Sequence, residues 1–515
     1  MPSPILPVTA AEEEQAPLFG FNSNREKFGC CSKLVWYLCC LTIGWPLYCL
    51  NLFSLCFTCC YGGQLCRKLC CSMAVCKPFW ICRCCYVPFV RCTTCFRLWI
   101  MTKQPHSYFW LRFYDCFIAP CDVVDIPPTG QPQYEQRARA LGGNFVVGNA
   151  VFVTDFKTVT ETQMRRQQRA RTVGGIHFNV PLTATANGLI FQGNTGAGCP
   201  HMVQRELLQR LVFQTDGVAQ RIADAPALLN AKIAAWLDGA PEQRMPAGIS
   251  LLAMECVFKL LFDVDLTPEE KAHGQSYISN IVLTLLPQDW LNHVPPVPAK
   301  QEKLLGVRTA IGKIIARSPG GPELLKQGAA TLGLADDELL RQIADPILFA
   351  GVIGTGQLMT NVIKRLDVVG EQTRPSTACY LSARDSEFVP ITGDAKAHQQ
   401  LYKSSPDAFI LEAARLLAPV SQFVEVVEEP RDVVIDGSTY TLPPGTMVAG
   451  CIALACRDPA AFPDPDEFKI DRDHSQLPLW NGPLKGDAPR QCPGERVSFA
   501  VARAVLDMWV EKRAL

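Results

Sequence analysis

A cysteine near the C-terminus has neighbours that suit it to bind a metal. Cys492 follows Arg490 and precedes Pro493 and Gly494, after which an apolar-periodic helix is predicted to the end of the chain. A thiol just before a helix N-terminus meets backbone N–H groups without intrahelical partners, and these groups and flanking cations favour thiolate over thiol. Gly494 has no side chain, so a flat group can lie against the backbone. We therefore expect a thiolate ligand to a haem iron, although a lone cysteine is also commonly a small buried hydrophobe.

Two segments upstream of this loop place charged residues at regular spacing. The sequence LEAARL, residues 411–416, sets Glu412 and Arg415 three positions apart on one face of a predicted helix, where they can pair. Such pairs are most often solvated surface contacts, but apolar residues flank this one and predict partial burial. The segment RDPAAFPDPDEFKIDR, residues 457–472, ends in Arg472, which can join the pair.

Short β-like runs lie between and before these pieces. They occur at residues 144–153, 420–427, 433–440 and 445–451, with a turn at Asp436–Gly437. The other hydrophobic patterns in the sequence are mostly helical. The sequence therefore predicts a mostly α protein with a small β subdomain.

The order of the C-terminal pieces resembles the cytochrome P-450 superfamily. In that family an E-x-x-R helix, a P-x-x-F-x-x-x-R segment and a cysteine loop ending in C-x-G follow one another, as they do here. The resemblance covers residues 400–513 closely and residues 130–515 loosely. It implies the cytochrome P-450 fold, haem b as the cofactor and Cys492 as the axial ligand of its iron.

The resemblance also implies roles for charged residues around the haem. Arg490, and with it His201 and Arg205, would neutralise the haem propionates. His201 and Arg205 lie four apart at the head of a predicted helix, where a surface pair is the alternative. Three further residues would hold the fold around the cysteine loop without touching substrate: Glu412, Arg415 and Arg472.

A long apolar helix is predicted from Pro346 to Leu366, with the sequence PILFAGVIGTGQLMTNVIKRL. It contains Gly351, Gly354 and Gly356, and glycine in mid-helix lowers helix stability. In the superfamily the central helix crosses the haem at this place, so the close approach of a planar group would explain the glycines. Tight packing between helices is the alternative explanation.

The central helix lacks the groups that relay protons in oxygen-activating members of the superfamily. Those members carry A/G-G-x-D/E-T; the matching stretch here begins at Ala350 and has Ile353 at the acid position and Gly354 at the alcohol position. Neither can donate a proton, and Thr355 lies about 100° further round the helix. General acid catalysis contributes about 10²- to 10⁴-fold. We therefore expect poor dioxygen cleavage, whereas a substrate that already contains an O–O bond needs neither relay nor electron donor.

The cysteine loop supports the same interpretation. Between Trp480 and Cys492 it reads WNGPLKGDAPRQC, which is longer than the common superfamily loop and lacks its opening phenylalanine. It resembles the plant-type branch that rearranges fatty-acid hydroperoxides, namely allene oxide synthases, hydroperoxide lyases and epoxyalcohol synthases. Two departures leave the product open. Phe349 is followed by Ala350 where that branch has asparagine, and the chain ends at Leu515, soon after the last helix.

Composition limits the domains and partners. The 515 residues include 49 basic and 49 acidic side chains, so no basic excess favours nucleic acid, and 48% hydrophobic residues allow a large core. Of 25 cysteines, 19 lie between Cys30 and Cys121. We expect a disordered head over residues 1–27, a Cys-rich apolar membrane-associating segment over 28–104 and the haem-thiolate domain over 105–515.

Charge distribution underlies the membrane prediction. No acidic residue occurs from Lys27 to Tyr114. The stretch from Leu34 to Leu65 has no charged residue, and it is longer than the ~20 apolar residues that a membrane-spanning helix needs. Cysteines beside such a segment are candidates for S-acylation. Two C-x-x-C spacings leave a metal cluster as an alternative, and a disulfide scaffold is another. Cations that suit anionic lipid headgroups follow the uncharged stretch: Arg67, Lys68, Lys77, Arg83, Arg91 and Arg97.

The resemblance and the missing relay together predict a haem-thiolate enzyme of oxylipin metabolism. It would cleave the O–O bond of a polyunsaturated fatty-acid hydroperoxide and rearrange the alkoxyl radical without external reductant. One alternative is a conventional monooxygenase that uses dioxygen and a reductase, with Thr355 or a water as proton donor. Another is a Cys-rich membrane or metal-binding protein with a silent haem domain. We expect an intracellular, membrane-associated protein with a lipid hydroperoxide as substrate. The sequence leaves the organelle open, and the endoplasmic reticulum and a plastid are two alternatives.

The thiolate ligand can be tested spectroscopically. We expect the purified protein, reduced and exposed to carbon monoxide, to show a Soret band near the wavelength typical of sulfur-ligated ferrous carbonyls. The Cys492→Ala variant should lose this band, because the sulfur is the predicted ligand. A wild-type protein without the band would contradict the haem-thiolate assignment.

Overall fold

The computed structural model describes most of the chain from residue 143 onward. The described residues are 95, 97–99, 143–147, 150–164, 200–284, 298–369, 371–373, 388–391, 393–420, 423–427, 430–443, 446–481 and 491–513. The predicted head lies outside them, as does the predicted Cys-rich segment apart from Cys95 and residues 97–99. Disorder, membrane association and metal binding in those segments therefore stay predictions.

Helices account for most of the described residues, which confirms the prediction of a mostly α fold. In chain order they are α1 Phe156–Met164, α2 Pro200–Leu208, α3 Asp216–Ala223, α4 Ala225–Asp238, α5 Pro246–Phe262, α6 Pro268–Thr284, α7 Pro298–Ala316, α8 Gly321–Leu332, α9 Asp336–Pro346, α10 Gly354–Leu366, α11 Ala395–Ser404, α12 Pro406–Leu416, α13 Ile452–Ala455 and α14 Glu495–Arg513. A π-helical segment, Gln209–Phe213, follows α2, and a second, Ile347–Ile353, joins α9 to α10.

Local sequence signals determine several helix ends. The hydroxyl of Thr215 accepts a 3.2 Å hydrogen bond from the N–H of Val218 and so caps α3. Prolines occupy the first turn of α5 and α12, where their missing N–H would have had no partner. Gly333 follows α8 with a φ of 67°, a left-handed conformation that glycine adopts without strain.

The helix α5 lies at the centre of the hydrophobic core. Buried residues occur on all its sides, as in a helix enclosed by other helices. α4, α6 and α10 pack against it, and the C-terminal α14 packs against α4, α5 and α10. Trp236 of α4 and Trp509 of α14 meet with ring centroids 5.7 Å apart. The helix that follows Cys492 is therefore fixed to the core along much of its length.

The predicted small β subdomain is present among the described residues. Its strands are β1 Phe145–Val147, β2 Ala150–Val153, β3 Glu371–Thr373, β4 Phe388–Pro390, β5 Phe423–Val426, β6 Arg431–Ile435, β7 Ser438–Leu442 and β8 Met447–Gly450. The largest described sheet has the order β1-β2-β8-β5, in which β2 and β8 run parallel with Val151 opposite Val448. The pairs β3–β4 and β6–β7 are antiparallel.

The β6–β7 hairpin turns at Asp436–Gly437, as predicted. These two residues have φ values of 49° and 74°. Positive φ at both positions suits the two-residue turn that matches the twist of antiparallel strands. Alternate residues of β6 are buried, so one face of the hairpin packs on the domain.

A short piece of the predicted Cys-rich segment packs into the domain. Leu98 has no exposed area and belongs to the hydrophobic core, and Arg97 is also fully buried. The prediction that Arg97 faces lipid headgroups is therefore wrong, because its side chain lies inside the protein. The packed domain includes Leu98, ahead of the predicted domain start at residue 105.

One helical stretch in the described part of the chain, Asp336–Leu366, is long and apolar enough to cross a membrane. It consists of α9, the second π segment and α10. Of its most apolar 18-residue window, 67% is buried inside the protein. The core helix of a globular protein has the same length and composition, so the stretch is weak evidence for a membrane span.

The predicted central helix is divided, and its glycines differ in their surroundings. Its α-helical hydrogen bonding begins only at Gly354, after the π segment Ile347–Ile353. A Cβ on Gly356 would lie 2.6 Å from Ser250 Oγ and 2.8 Å from Ser250 Cα, so packing against α5 requires this glycine. A Cβ on Gly354 would meet no atom within 4 Å. The haem explanation is therefore wrong for Gly356, whereas Gly354 borders open space.

Gly356→Ala should destabilise the protein. Overpacking against Ser250 lowers the free energy of unfolding by about 1–3 kcal/mol. The better helix propensity of alanine raises it by roughly 1 kcal/mol. Gly354→Ala is the matched control, since it gains the same propensity without the clash. Urea unfolding should show a lower free energy of unfolding for the first variant and an equal or higher one for the second. Equal changes in both would contradict the packing role of Gly356.

Candidate functional site

Cys492 lies just before α14, as predicted. Its N–H donates a 2.7 Å hydrogen bond to the carbonyl oxygen of Trp480, which joins the two ends of the cysteine loop. Trp480 has a positive φ of 52°, which is rare for a bulky residue. Its ring packs against Phe499 of α14 with the centroids 6.2 Å apart. Residues 482–490 of the loop, including Arg490, lie outside the described residues.

Two backbone N–H groups at the start of α14 donate hydrogen bonds to the sulfur of Cys492. Gly494 and Glu495 supply them, as expected at a helix N-terminus. Burial nevertheless raises the pKa of Cys492 to about 11, although these bonds and the charge of Arg205 lower it. The predicted preference for thiolate is therefore wrong for the sulfur by itself, because burial outweighs the donors. A coordinated metal cation deprotonates a thiol outright, so the site fits a ligand that ionises when iron binds.

Arg205 of α2 reaches the same loop. Its side chain is 7% exposed, which excludes the surface pair, and its Nη2 donates to the carbonyl of Gln491. Burial lowers the pKa of Arg205, and the charge of Cys492 raises it. His201 lies in the same helix, with its side chain outside the described part of the structure. Propionate binding by Arg205, His201 and Arg490 stays a prediction.

The predicted pair of Glu412 and Arg415 forms, and neither side chain has exposed area. Arg415 donates from Nε to Glu412 Oε2 over 2.8 Å and from Nη2 to Oε1 over 2.9 Å. Arg472 joins as predicted, with its Nε 3.2 Å from Oε1, and the N–H of Lys469 donates to the same oxygen over 2.9 Å. The pair is thus more deeply buried than its sequence context predicts.

The guanidinium of Arg415 also binds main-chain oxygens. It donates to the carbonyls of Cys456, Pro465 and Glu467 over 2.9, 2.7 and 3.1 Å. It lies over the Phe462 ring, 5.5 Å from the centroid. One side chain of α12 therefore fixes the path of the proline-rich segment that leads toward the cysteine loop.

His474 is a member of this network that sequence analysis missed. Its Nε2 lies 3.1 Å from Glu412 Oε2, and its side chain is buried. The available signal was its place two residues after Arg472, the residue expected to join Glu412 and Arg415. Histidine occurs in cores, at surfaces and at metals alike, so the residue type alone did not single it out.

The surroundings of Glu412 favour its ionised form. Burial by itself would raise the pKa of Glu412, but hydrogen bonds from Arg415, His474 and the Lys469 N–H lower it from 4.5 to about 2. The carboxylate is therefore charged at neutral pH and balanced within the protein.

One face of the central helix borders open space. Ala350 is exposed, and Ile353, Gly354 and Gln357 are partly exposed, between residues that are buried. In α10, Gln357 lies about 40° round the helix from Ile353 and about 60° from Gly354, so these three residues share a face. Ile353 and Gly354, which occupy the acid and alcohol positions of the family motif, therefore lie together on that face.

Thr355 lies on the opposite side of α10. Its side chain is 1% exposed, and its Oγ1 has no hydrogen-bond partner among the described atoms. The hydroxyl points into the protein rather than toward the face that carries Ile353 and Gly354.

Gln357 is a polar residue of the open face that sequence analysis missed. Its Nε2 donates to Asn361 Oδ1 over 2.8 Å, and Asn361 Nδ2 donates to the Leu417 carbonyl over 2.6 Å. The second bond turns the Asn361 oxygen toward Gln357. The side-chain oxygen of Gln357 then has no partner in the described part of the protein and can accept a hydrogen bond from a ligand.

Residues 406–498, which contain the Glu412 network and Cys492, match the family model for cytochrome P-450. A linoleate diol synthase of Gaeumannomyces graminis is 23% identical over 214 residues, which are 37% of this chain and 17% of that protein. Allene oxide synthase 1, chloroplastic, of Oryza sativa subsp. japonica is 28% identical over 190 residues, 34% of this chain and 36% of that protein. The matched part thus covers less than half of either relative.

The fold is similar to that of a myxobacterial cytochrome P-450 solved in complex with myristic acid. The TM-score is 0.52 at 16% sequence identity, over 74% of this chain and 88% of that chain. A family and fold of this kind imply a haem held by a cysteine thiolate. Cys492 fits as the ligand, since its sulfur accepts two N–H bonds and its side chain is partly exposed.

Glu412→Gln should lower the free energy of unfolding by about 3–5 kcal/mol, the usual effect of removing one partner from a buried ion pair. Glu338→Gln is the matched control, because Glu338 pairs with Arg341 at the same spacing but both are partly exposed. Its loss should stay within about 1 kcal/mol. Urea unfolding at pH 7 measures both variants, and similar losses would contradict the structural role of Glu412.

The pH dependence of unfolding gives a second readout for the same variants. The folded-state pKa of Glu412 is depressed, so its contribution is present above the unfolded pKa of 4.5 and is lost as pH falls toward 2. Wild-type stability should therefore fall with pH in this window more steeply than that of Glu412→Gln.

Proposed function

Because the chain belongs to the cytochrome P-450 superfamily, we propose that Cys492 is its haem ligand and that the protein cleaves and rearranges polyunsaturated fatty-acid hydroperoxides. No external reductant is needed, since the peroxide bond of the substrate is itself the oxidant. The product is that of an epoxyalcohol synthase, an allene oxide synthase or a hydroperoxide lyase. The first outcome is an isomerisation, the second a loss of water and the third a carbon–carbon cleavage.

The observation that carries this proposal is the absence of a proton donor on the open face among the described residues of the central helix. Ile353 and Gly354 occupy the positions of the acid and the alcohol, and Thr355 points into the protein. Dioxygen cleavage depends on delivered protons, and general acid catalysis contributes about 10²- to 10⁴-fold. A hydroperoxide arrives with its O–O bond formed, so an apolar face does not hinder its cleavage.

The residues of this chain have separate tasks in such a reaction. A bound haem would supply the iron for cleavage of the O–O bond. Cys492 would hold that iron, and the N–H groups of Gly494 and Glu495 would stabilise the charge on its sulfur. Ile353 and Gly354 leave room for an acyl chain and attract little water. Excluding water protects reactive intermediates from side reactions.

Gln357 would orient the substrate. Its side-chain oxygen is available as an acceptor on the open face, and Asn361 fixes the amide in place. A hydroperoxide O–H can donate to such an oxygen. A positioned group of this kind selects one orientation of the substrate without supplying a proton to it.

Similarity to two fatty-acid enzymes supports the substrate class. The names of these relatives include linoleate in one case and allene oxide in the other. Both similarities are distant and cover part of each relative. The support therefore extends to a fatty-acid substrate, and experiment decides whether a hydroperoxide is used and which product forms.

A conventional monooxygenase is the second candidate. The observation in its favour is the buried Thr355 hydroxyl, which has no hydrogen-bond partner among the described atoms. Such a group costs free energy unless it gains one. A local rotation or an ordered water that brought this hydroxyl toward the open face would restore a proton donor.

Membrane association of the Cys-rich segment is part of the proposal. The uncharged stretch from Leu34 to Leu65 and the cations that follow it suit a lipid surface. We propose that the protein lies at an intracellular membrane, which would bring it near a lipid substrate.

The proposed activity can be tested with purified holoprotein and a panel of hydroperoxides. Loss of substrate without NADPH or a reductase, with rearranged products identified by mass spectrometry, is the expected result. Cys492→Ala should abolish it. Hydroxylation of the parent fatty acid that requires a reductase, with no consumption of hydroperoxide in its absence, would establish the monooxygenase instead.

The same assay tests the place of Gln357. Gln357→Leu removes the acceptor and should lower kcat/KM by about 2- to 10-fold, the effect of one lost hydrogen bond, and broaden the product mixture. Gln220→Leu on the exposed surface of α3 is the control and should leave both unchanged. An unchanged product mixture in Gln357→Leu would show that Gln357 does not orient the substrate. It would not affect the evidence for the activity itself.

A further inference from the structure

Trp480 has a backbone conformation that is unusual for its residue type. Its φ of 52° and ψ of 29° lie in the left-handed region, which sterics disfavour roughly 5- to 30-fold for a residue with a Cβ. Three of the five described non-glycine residues with positive φ are aspartates, whose short polar side chains tolerate it. An indole ring offers no such local hydrogen bond, so other contacts must hold Trp480 in this conformation.

The conformation serves the contact between Trp480 and Cys492. The carbonyl of Trp480 accepts the N–H of Cys492 over 2.7 Å. Because φ and ψ of Trp480 set the direction of its own carbonyl, a right-handed or extended backbone would turn this oxygen away from Cys492. The hydrogen bond that joins the two ends of the cysteine loop therefore depends on a strained residue.

The peptide unit between Gln491 and Cys492 is held at both of its polar groups. The carbonyl of Trp480 holds its N–H, and Arg205 Nη2 donates to its oxygen, the carbonyl of Gln491. A peptide unit is planar and includes the Cα atoms of both residues. Two bonds to one plane therefore locate the Cα of Cys492, from which the side chain carries the sulfur.

The ring of Trp480 contacts the chain on the other side of the sulfur. It packs against Phe499 with ring centroids 6.2 Å apart and planes inclined by 59°, within the range of favourable aromatic pairs. Phe499 lies in α14, seven positions after Cys492. The indole is partly buried against the hydrophobic core, and the preceding Leu479 is buried. These contacts offset the backbone strain.

We propose that Trp480 is a positioning residue for the haem ligand: its ring, packed on Phe499, keeps its backbone left-handed, and this backbone directs the carbonyl that holds the N–H of Cys492. The proposal rests on Cys492 as the haem ligand and not on the choice between hydroperoxide and dioxygen chemistry. Loss of the ring would release the backbone, turn the carbonyl away and let the sulfur leave the iron more readily.

The test compares Trp480→Gly with Trp480→Ala in the holoprotein. Both variants lack the ring, but glycine adopts a φ of 52° without strain and alanine does not. Ferrous–carbonyl spectra across a urea series, below the unfolding transition, measure the ratio of the sulfur-ligated form to the form without sulfur ligation. This ratio should be roughly 5- to 30-fold higher in Trp480→Gly than in Trp480→Ala, and Trp480→Ala should lie below the wild type. Equal ratios in the two variants would contradict the proposal.

The same pair of substitutions at Phe499 is the matched control. Phe499 has a helical backbone within α14, where glycine is less favourable than alanine. The order should therefore reverse, with the higher ratio in Phe499→Ala. A higher ratio for glycine at both positions would assign the effect to chain flexibility and overturn the role of the left-handed backbone.

A purely structural role for Trp480 gives a different result. In that case the two Trp480 variants differ in the free energy of unfolding of their apoproteins, whereas the carbonyl spectra of the folded holoproteins agree. This outcome would overturn the proposal. Should neither variant bind haem, Phe499→Leu takes their place, because it keeps Trp480 but removes the contact between the rings. Its ratio should fall below that of the wild type, and an unchanged ratio would contradict the proposal.

These readouts do not depend on the proposed reaction. A protein that shows the predicted order of ratios but does not consume hydroperoxide would refute the proposed function and leave the role of Trp480 intact. An active enzyme with equal ratios in Trp480→Gly and Trp480→Ala would do the opposite.

Discussion

Glu412 and Arg415 hold opposite charges in a part of the protein where neither contacts solvent. Such a pair is tolerated when its remaining donors and acceptors are also satisfied. The carboxylate accepts bonds from Arg415, Arg472, His474 and a main-chain N–H, and the guanidinium donates to three main-chain carbonyls. Because the partners that this pair has outside α12 come from residues 456–474, two side chains of α12 determine how that irregular segment folds.

The position of Cys492, the proposed haem ligand, depends on the same segment. It continues into Trp480, whose carbonyl receives the N–H of Cys492, so the sulfur is located from both sides of its loop. The α14 helix fixes one side by packing on α4, α5 and α10. The buried charges fix the other side through main-chain hydrogen bonds. Arg205 and Phe213 then approach the loop from a third direction. Cys492 is partly exposed, yet rigid elements hold it.

Residue spacing made much of this predictable. The three-residue interval of Glu412 and Arg415, the turn at Asp436–Gly437 and the place of Cys492 before a helix are local patterns with local physical causes. Long-range contacts were not predictable in this way. Nothing local marks Gly356 as the place where Ser250 approaches, or Arg97 as a buried cation. The pKa of Cys492 also depends on burial, which a helix N-terminus does not reveal. His474 and Gln357 were missed because their types are common and their partners lie on other turns or segments.

The parallel pairing of β2 with β8 has a consequence for how the protein is made. These strands bring residues 150–153 beside residues 447–450, almost three hundred positions later in the chain. Contacts between such distant segments are slow to form, because a long loop must close first. During synthesis on the ribosome, β2 waits with an unpaired edge until nearly the whole polypeptide has emerged. An unpaired edge is prone to aggregation, and pairing with β1 covers only the opposite edge of β2. The nascent chain would therefore benefit from a chaperone.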